Sequence, residues 1–465
     1  MPDTIAAIAT ANAPGGIGIV RVSGAEAFGV AQKIFRPKKP LDWSHLYGYR
    51  MTYGTVGTAG EAGNERFFAE IDEAICLVFR GPGSYTGEDV VELQCHGGPL
   101  LLQQVLQAAL DAGARLAGPG EFTRRAWLNG RIRLNQAEAV MRLITAQSQQ
   151  ALRAAHGAMG GALAARVAGV RDGLVALAAH IGAWADYPEE DISPLRDCDA
   201  ETVLRDAEAA LAGLIEGSRG AQAVLEGVSA ALVGRPNVGK SSLLNRLAGY
   251  ERAIVTPLPG TTRDTVTETV QLGNLTLRLT DTAGLRETAH PVEKAGVERS
   301  LEAMRGADLV LVVVDGVEGL TQEDEDLLAG CDQDRTILVF NKVDLVGTPR
   351  RCAPPPSKEG GFKAVYTSAV TGEGLDALAR AAEGICQTAG FVPGEAMLAT
   401  QRQAQCAVDA RRAVRDALEA LERGFTPDAV SVCLEDAVQA LLSLTGEREG
   451  DAVVDEVFRG FCVGK

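Results

Sequence analysis

The chain has 465 residues, enough for two to four domains that each bury a core. Its net charge of −16 is spread over the whole length, which argues against binding nucleic acid through overall charge. No apolar run approaches the ~20 residues of a membrane span, and the N-terminus lacks the features of a signal peptide. Nine cysteines without a C-x-x-C pair indicate reduced thiols. The composition predicts a soluble cytoplasmic protein.

Residues 1–120 have the pattern of a mixed α/β domain. The predicted elements are strands Thr4–Thr10, Gly18–Ser23, Ala69–Arg80 and Val90–Cys95 and an amphipathic helix Pro99–Ala112. His96 lies beside two glycines, and a hydrogen-bonded structural histidine is favoured there over a ligand.

Helical segments flank the middle of the chain. They are predicted at 134–187, with a break at Gly160-Gly161, and at 199–225, 397–423, 428–442 and 451–458. We expect 121–222 and 385–465 to form one helical domain into which residues 223–384 are inserted. The arginines at 124, 125, 131 and 133 are either a solvated face or a binding patch.

The stretch 229–249 is organised as a strand, a G-x-x-x-x-G-K-S loop and a helix. Gly234 and Gly239 let the backbone curl around phosphate, Lys240 supplies a charge for the outer phosphates, and the Ser241 hydroxyl can ligate Mg²⁺. The residues predicted to bind GTP through this loop are Asn237, Val238, Gly239, Lys240, Ser241 and Ser242.

Further motifs follow in the order that a GTPase requires. Thr262, in the loop that begins at Thr256, is predicted to complete the Mg²⁺ shell. Asp281 of D-x-x-G is predicted to hold Mg²⁺ through water, and the Gly284 N–H to meet the γ-phosphate. These motifs predict an α/β P-loop (Ras-like) G domain.

Guanine recognition is predicted from Asn341-Lys342-Val-Asp344 at the end of a strand. The Asp344 carboxylate can accept two hydrogen bonds from guanine that adenine cannot donate, and Ser368-Ala369 can present a backbone N–H to the guanine carbonyl. We therefore expect GTP to be preferred to ATP.

The residue that orients the attacking water is harder to assign, because Leu285 stands where Ras-like proteins carry a water-orienting Gln. Arg286, Glu287 and Glu293 are nearby candidates. Asn237 could ligate a monovalent cation or only cap the loop.

The chain resembles the MnmE (TrmE) family of tRNA-modification GTPases over nearly its full length. The resemblance rests on GRPNVGKSSLLN (234–245), PGTTRD (259–264), DTAGLRE (281–287), SYTGEDVVELQCHGG (84–98), PGEFTRRAWLNGRIRLNQAEA (119–139) and the C-terminal FCVGK.

That resemblance implies a fold in which an N-terminal α/β domain binds folate and forms a homodimer, and a G domain is inserted in a helical domain. It implies a K⁺ site at Asn237, Thr256, Leu258 (backbone) and Thr261. Of these, Asn237, Thr256 and Thr261 are also expected to contact GTP. It implies Glu293 as the residue that orients the attacking water, and Glu293 and Lys240 are the expected catalytic residues. It implies 5-formyl-tetrahydrofolate or a related folate at Arg21, Glu92, Arg131 and Lys465, with Cys462 nearby. Arg131 stands where the family commonly has Lys, and the two cations differ in geometry.

The resemblance also implies a heterotetramer with the FAD-dependent protein MnmG. Together the two proteins would add an aminomethyl-type group at C5 of the wobble uridine of certain tRNAs. We expect much of the tRNA contact to come from that partner, with the arginines between 124 and 133 contributing locally. The alternative is a GTPase switch in ribosome assembly, which would have no reason to carry the N-terminal block and the FCVGK tail. A scaffold with a dead nucleotide site is disfavoured by the intact Lys240, Ser241, Asp281 and Asp344.

Overall fold

The computed structural model describes residues 3–43, 48–59, 68–186, 200–250, 267–273, 275–280, 304–345, 361–388, 392, 394–448 and 450–464. The chain divides into two compact units, Met1–Met141 with Thr445–Lys465, and Arg142–Leu444.

The strands are β1 (Ile5–Ile8), β2 (Gly15–Ser23), β3 (Phe35–Pro37), β4 (Tyr49–Ala59), β5 (Phe68–Phe79), β6 (Val90–Gly97), β7 (Arg115–Leu116), β8 (Val228–Val233), β9 (Thr267–Leu272), β10 (Leu275–Thr280), β11 (Leu309–Asp315), β12 (Thr336–Asn341) and β13 (Lys363–Tyr366). The helices are α1 (Ala27–Ile34), α2 (Pro99–Asp111), α3 (Glu121–Leu128), α4 (Leu134–Thr145), α5 (Gln149–Met159), α6 (Ala162–Asp186), α7 (Ala200–Glu226), α8 (Lys240–Tyr250), α9 (Gln322–Ala329), α10 (Leu375–Ile385), α11 (Gln401–Glu422), α12 (Pro427–Thr445) and α13 (Asp451–Arg459).

The first unit is built on a seven-stranded sheet in the order β3-β4-β5-β6-β2-β1-β7. Neighbouring strands are antiparallel except β1 and β7, which are parallel. Apolar residues of α1 and α2, among them Ala31, Leu102 and Val105, are buried together with Leu93 of β6. The four predicted strands and the helix Pro99–Ala112 are present with shifted ends, whereas α1, β3 and β4 were not predicted.

The C-terminal helix α13 belongs to this first unit. Val454, Phe458 and Phe461 are buried with Leu134 and Ala137 of α4. Burial of these side chains ties the end of the chain to the unit that holds its beginning.

The second unit contains a helical core formed by α6, α7, α11 and α12. The buried face of α11 repeats small residues at a spacing of three or four, as in Ala407, Ala410 and Ala417, which allows close helix packing. The predicted break at Gly160-Gly161 is confirmed, since Gly161 has a φ of +80°. A further break, which was not predicted, precedes α5, where the Ser148 hydroxyl accepts a hydrogen bond from the Ala151 N–H.

The second unit also contains a six-stranded sheet in the order β13-β12-β11-β8-β10-β9. All pairs are parallel except β9 with β10. Strands β11 and β12 are buried at every position, as expected for parallel strands covered on both faces. The chain crosses from one side of β8 to the other between β10 and β11, and ligands of open α/β sheets bind at the carboxyl ends of strands at such a crossing.

Within the described ranges, no helix combines the length and apolar character needed to cross a membrane.

Candidate functional site

The loop after β8 is tightly curled. Gly234 and Gly239 have φ angles of +142° and +96°, and Asn237 adopts the left-handed conformation with a φ of 63°. A Cβ added to Gly234 would lie 2.2 Å from the Val313 carbonyl oxygen, so the loop packs directly against β11. Only glycine fits that position without a shift of backbone.

Lys240 is enclosed by this loop. Its ammonium donates hydrogen bonds to the carbonyl oxygens of Gly234, at 2.6 Å, and Arg235, at 2.7 Å. Burial lowers the pKa of Lys240 below its usual value. An anion beside it would favour the charged form again, so the surroundings of the ammonium suit a phosphate group. Ser241 and Ser242 follow in the first turn of α8 and are exposed.

Asn341 joins the phosphate loop to the loop after β13. Its side chain is 1% exposed. Asn341 Nδ2 donates to the Val238 carbonyl oxygen at 3.1 Å, and Oδ1 accepts from the Ala369 N–H at 3.0 Å. A Cβ on Gly239 would lie 2.2 Å from Asn341 Nδ2, so this contact depends on a glycine.

Lys342 makes a second connection to the phosphate loop. It has a φ of 65°, and its ammonium donates to the Asn237 carbonyl oxygen and to Asp315 Oδ2, each at 2.7 Å. Burial alone would raise the pKa of Asp315, but the hydrogen bonds from Lys342 and from backbone N–H groups hold it below its usual value. Asp315 is a site residue that the sequence analysis missed, and its only sequence signal is its place at the end of an apolar strand.

The predicted base-reading residues differ in their surroundings. Asp344 is exposed. Ser368 is fully buried and its N–H donates to the Glu373 carbonyl oxygen at 2.9 Å. One N–H of the Ser368-Ala369 pair was predicted to face the guanine carbonyl. Since the Ala369 N–H donates to Asn341, both N–H groups have protein acceptors here. A guanine carbonyl would therefore have to replace or share one of these acceptors.

The side chain of Arg235 connects the phosphate loop to α9. Its Nε lies 3.1 Å from both carboxylate oxygens of Asp324, and Nη2 donates to Glu318 at 2.9 Å. Asp324 is fully buried and also accepts hydrogen bonds from the N–H and hydroxyl of Thr321 at the start of α9. The T-x-x-D capping pattern is visible in the sequence, but nothing in it connects Asp324 to Arg235.

The hydrolysis candidates Arg286 and Glu287 lie outside the described residues, and so do seven predicted site residues of the G domain. These seven are Thr256, Leu258, Thr261, Thr262, Asp281, Gly284 and Glu293. The part of the chain that is described contains no group of three or more His, Cys, Asp or Glu side chains arranged to hold a metal ion.

The first unit brings together three parts of the predicted folate site. Arg21 on β2 stands directly opposite Glu92 on β6, and Arg21 Nε donates to Glu92 Oε1 at 2.8 Å. Arg21 Nη1 donates to the Gly464 carbonyl oxygen at 3.3 Å, so the C-terminal tail reaches this pair. The Arg21 guanidinium also lies over the rings of Tyr85 and Phe122, 5.9 and 5.5 Å from their centroids.

The other residues predicted for that site are less closely placed. Arg131 is exposed, and a Cβ on Gly87 would lie 3.3 Å from Arg131 Cγ, so its stem runs beside the loop that follows β5. Cys462 is exposed, and its carbonyl oxygen accepts a hydrogen bond from Gly120 at 3.3 Å. Lys465 lies outside the described residues.

The arginine cluster at 124–133 is not one patch. Arg125 is 8% exposed and contacts Asp3, Glu88 and Glu121. Arg124 forms an ion pair with Asp455 at 2.9 Å. A binding patch is therefore restricted to Arg131 and Arg133, which are exposed. Neither a solvated face nor a binding patch describes Arg125, because its buried side chain holds the fold together.

His96 has the structural contacts that were favoured for it. Its Nδ1 lies 2.9 Å from Asp72 Oδ1, and its backbone N–H donates to Asp72 Oδ2 at 2.8 Å. The hydrogen bond and the charge of Asp72 raise the pKa of His96.

A curled loop around a lysine, placed between a central strand and a helix and tied to N-K-x-D, defines the class of P-loop GTP-binding proteins. Two family models match the chain, the GTP-binding protein TrmE N-terminus over residues 4–131 and the MnmE helical domain over residues 134–462. The chain belongs to the MnmE family of tRNA-modification GTPases.

Curated relatives from the same family match this chain along its full length. The chain is 47% identical to tRNA modification GTPase MnmE of Symbiobacterium thermophilum, covering 100% of this chain and 99% of that protein. It is 43% identical to the protein of the same name from Thermus thermophilus, covering 100% of both. A solved structure of Era with MgGDPNP and nucleotides of 16S ribosomal RNA is 27% identical over 40% of this chain and 66% of that one, with a TM-score of 0.27.

Proposed function

We propose that this protein binds guanine nucleotide at the loop 234–242, hydrolyses GTP with Mg²⁺ and K⁺, and uses that reaction in tRNA modification. The modification would be an aminomethyl-type group at C5 of the wobble uridine, added together with MnmG and a folate one-carbon donor. The observation that carries the proposal is the Asn341 side chain, which joins the phosphate loop to the loop predicted to face guanine.

Different residues would bind the phosphates, bind the base and hold the loop between them. Lys240 faces the outer phosphates, and the first turn of α8 offers backbone N–H groups to them. Asp344 is exposed at the same end of the sheet, and its carboxylate would accept hydrogen bonds from the base. Asn341 and Lys342 hold the loop between these two parts.

The exposed Ser241 hydroxyl and Asn237 side chain fit the proposed metal ions. Mg²⁺ would be held by Ser241 and Thr262, and K⁺ by Asn237, Thr256, Leu258 and Thr261. Bound cations would neutralise charge that develops on the phosphates. Glu293 would orient the attacking water, a role that the Leu285 position cannot fill.

Arg21, Glu92 and the tail at Gly464 support a folate site in the N-terminal α/β domain. A guanidinium beside two aromatic rings suits a ligand that has both a carboxylate and a flat ring. Arg131 and Lys465 would add positive charge. Membership of the MnmE family favours this function over a ribosome-assembly switch, and no observation of the described residues favours the latter.

The test combines base selectivity with hydrolysis. Asp344→Asn should weaken GTP binding by roughly ten- to 150-fold, the loss of hydrogen bonds to a charged group, and should favour xanthine nucleotides, as calorimetry would measure. GTP turnover of the unmodified chain should be much faster in KCl than in NaCl, and Glu293→Ala should slow turnover without changing GTP affinity. Undiminished GTP affinity of Asp344→Asn, or equal turnover in the two salts, would contradict the corresponding assignment.

A further inference from the structure

A cleft lies at the end of β8 remote from the phosphate loop. It has a volume of about 500 Å³ and is lined by the last turns of α7, by Gly227 and Val228, and by residues 385–387. We call it the α7–β8 cleft. Gly227 has a φ of +77°, and a Cβ there would lie 2.9 Å from the Thr276 carbonyl oxygen, so the chain turns sharply between the helix and the strand.

Three arginines from different elements line this cleft. Arg219 comes from α7, Arg278 from β10, and Arg335 from the residue before β12. Arg219 and Arg278 are exposed. In the described ranges neither side chain has an ion pair or a hydrogen bond. Arg278 also lines a neighbouring cavity of about 250 Å³, so it can be approached from two sides.

Each of the two carboxylates of the cleft has a partner, a cation for Glu226 and a neutral backbone N–H for Asp308. Glu226 forms an ion pair with Arg142, and Asp308 Oδ2 accepts a hydrogen bond from the Ser229 N–H at 3.1 Å. Arg335 is held by the Ala307 carbonyl oxygen at 2.9 Å, with its Nε 3.7 Å from Asp332 Oδ2. That Nε is buried and has no hydrogen-bond partner among the described residues. The positive charge of Arg219 and Arg278 is therefore not neutralised by direct contact.

We propose that the α7–β8 cleft binds phosphate groups, held chiefly by Arg219 and Arg278. Guanidinium groups bind phosphate oxygens through paired hydrogen bonds. In a chain of net charge −16, a local group of unpaired arginines is the kind of surface that an anionic ligand requires. The phosphates could belong to an RNA backbone, a source that rests on the proposed role in tRNA modification, or to a free polyphosphate.

A phosphate bound there would link α7 to the sheet of the G domain. Arg219 lies on the helix and Arg278 on β10, which pairs with β8. Because β8 leads directly into Gly234, a ligand that fixes the start of β8 acts on the strand that carries the phosphate loop.

The experiment uses the full chain saturated with GDP, so that the phosphate loop is filled, and titrates it with tripolyphosphate in a calorimeter. The double variant Arg219→Gln/Arg278→Gln should bind tripolyphosphate at least tenfold more weakly. Arg166→Gln removes one exposed arginine from α6, outside the cleft, and should bind as the unmodified chain does. Both substituted positions in the cleft are exposed, so GDP affinity and thermal unfolding should be unchanged.

A second arm uses fluorescently labelled tRNA at several KCl concentrations. Loss of two phosphate contacts should reduce the slope of log K against log salt by about 1.4 to 1.8. A loss in the tRNA arm identifies RNA as the source of the phosphates, and a loss confined to tripolyphosphate identifies a free polyphosphate. Equal binding by the double variant and the unmodified chain in both arms, or no binding in either, overturns the proposal. Failure of GTP hydrolysis or of the Asp344→Asn test would instead contradict the proposed function, since neither depends on these arginines.

Discussion

Substitution of Asn341 by Ala should weaken both the phosphate loop and nucleotide binding. The change removes the hydrogen bonds to Val238 and from Ala369, at 3.1 and 3.0 Å, from a position that is 1% exposed. Each buried group left without a partner costs about 1–3 kcal/mol, so the two together cost roughly 2–6 kcal/mol. Part of this loss reduces the free energy of unfolding, and part reduces nucleotide affinity because the loop is no longer preorganised. Chemical denaturation and calorimetric titration with GDP measure the two parts.

Asn341→Asp provides the matched comparison. Aspartate keeps an acceptor for the Ala369 N–H but places a carboxylate oxygen against the Val238 carbonyl oxygen. At pH 8 this variant should bind GDP no better than Asn341→Ala. At pH 6 its relative affinity should rise, since a carboxyl facing a carbonyl has a raised pKa and donates a hydrogen bond once protonated. GDP affinities within threefold of the unmodified chain for both variants, with unchanged unfolding, would refute the reasoning.

Two further predictions concern contacts that the sequence did not indicate. Asp324→Asn removes the buried charge that faces Arg235 and should speed GDP dissociation by lowering its barrier by about 1–3 kcal/mol. Glu318→Gln changes a carboxylate that is itself 60% exposed and should alter that barrier by less than ~1 kcal/mol. Equal stopped-flow rates for the two variants would contradict this. The hydrogen bond from Arg115, followed by the contact with Arg125, lowers the pKa of Asp3 to about 2 despite the opposing effect of desolvation. Because the folded pKa is below the unfolded one, the stabilisation is present above pH ~4 and is lost as the pH falls toward 2. Asp3→Asn should therefore increase amide exchange at β1 at pH 6 but not at pH 2, and an equal increase at both would count against it.

The strands of the G domain could be predicted from the sequence because its motifs directly follow clear apolar strands. Apolar runs at 309–314 and 336–340 are long enough to identify buried strands, and the residues that follow each run are placed at one edge of the sheet. The N-terminal sheet was predicted less completely. Strand β4 alternates exposed residues such as Tyr49 and Met51 with glycines and threonines, a pattern that lacks a clear apolar face.

Long-range partners account for most of what the sequence could not predict. Arg125 reads as part of a basic run, yet Asp3 and Glu88 enclose it. Arg235 and Asp324 are 89 residues apart in the chain. Such pairs depend on which helices and loops meet in the fold, and spacing along the sequence carries no information about that.

The N-K-x-D segment separates into two structural residues and one that is free for recognition. Asn341 and Lys342 both hydrogen-bond to carbonyl groups of the phosphate loop, at Val238 and Asn237. A substitution at either position therefore disturbs phosphate binding as well as base binding, and a loss of GTP affinity there does not identify a base contact. Asp344 is exposed, and among the described residues its side chain makes no hydrogen bond or ion pair with the phosphate loop. Base selectivity is for that reason best tested at Asp344, and preorganisation of the loop at Asn341.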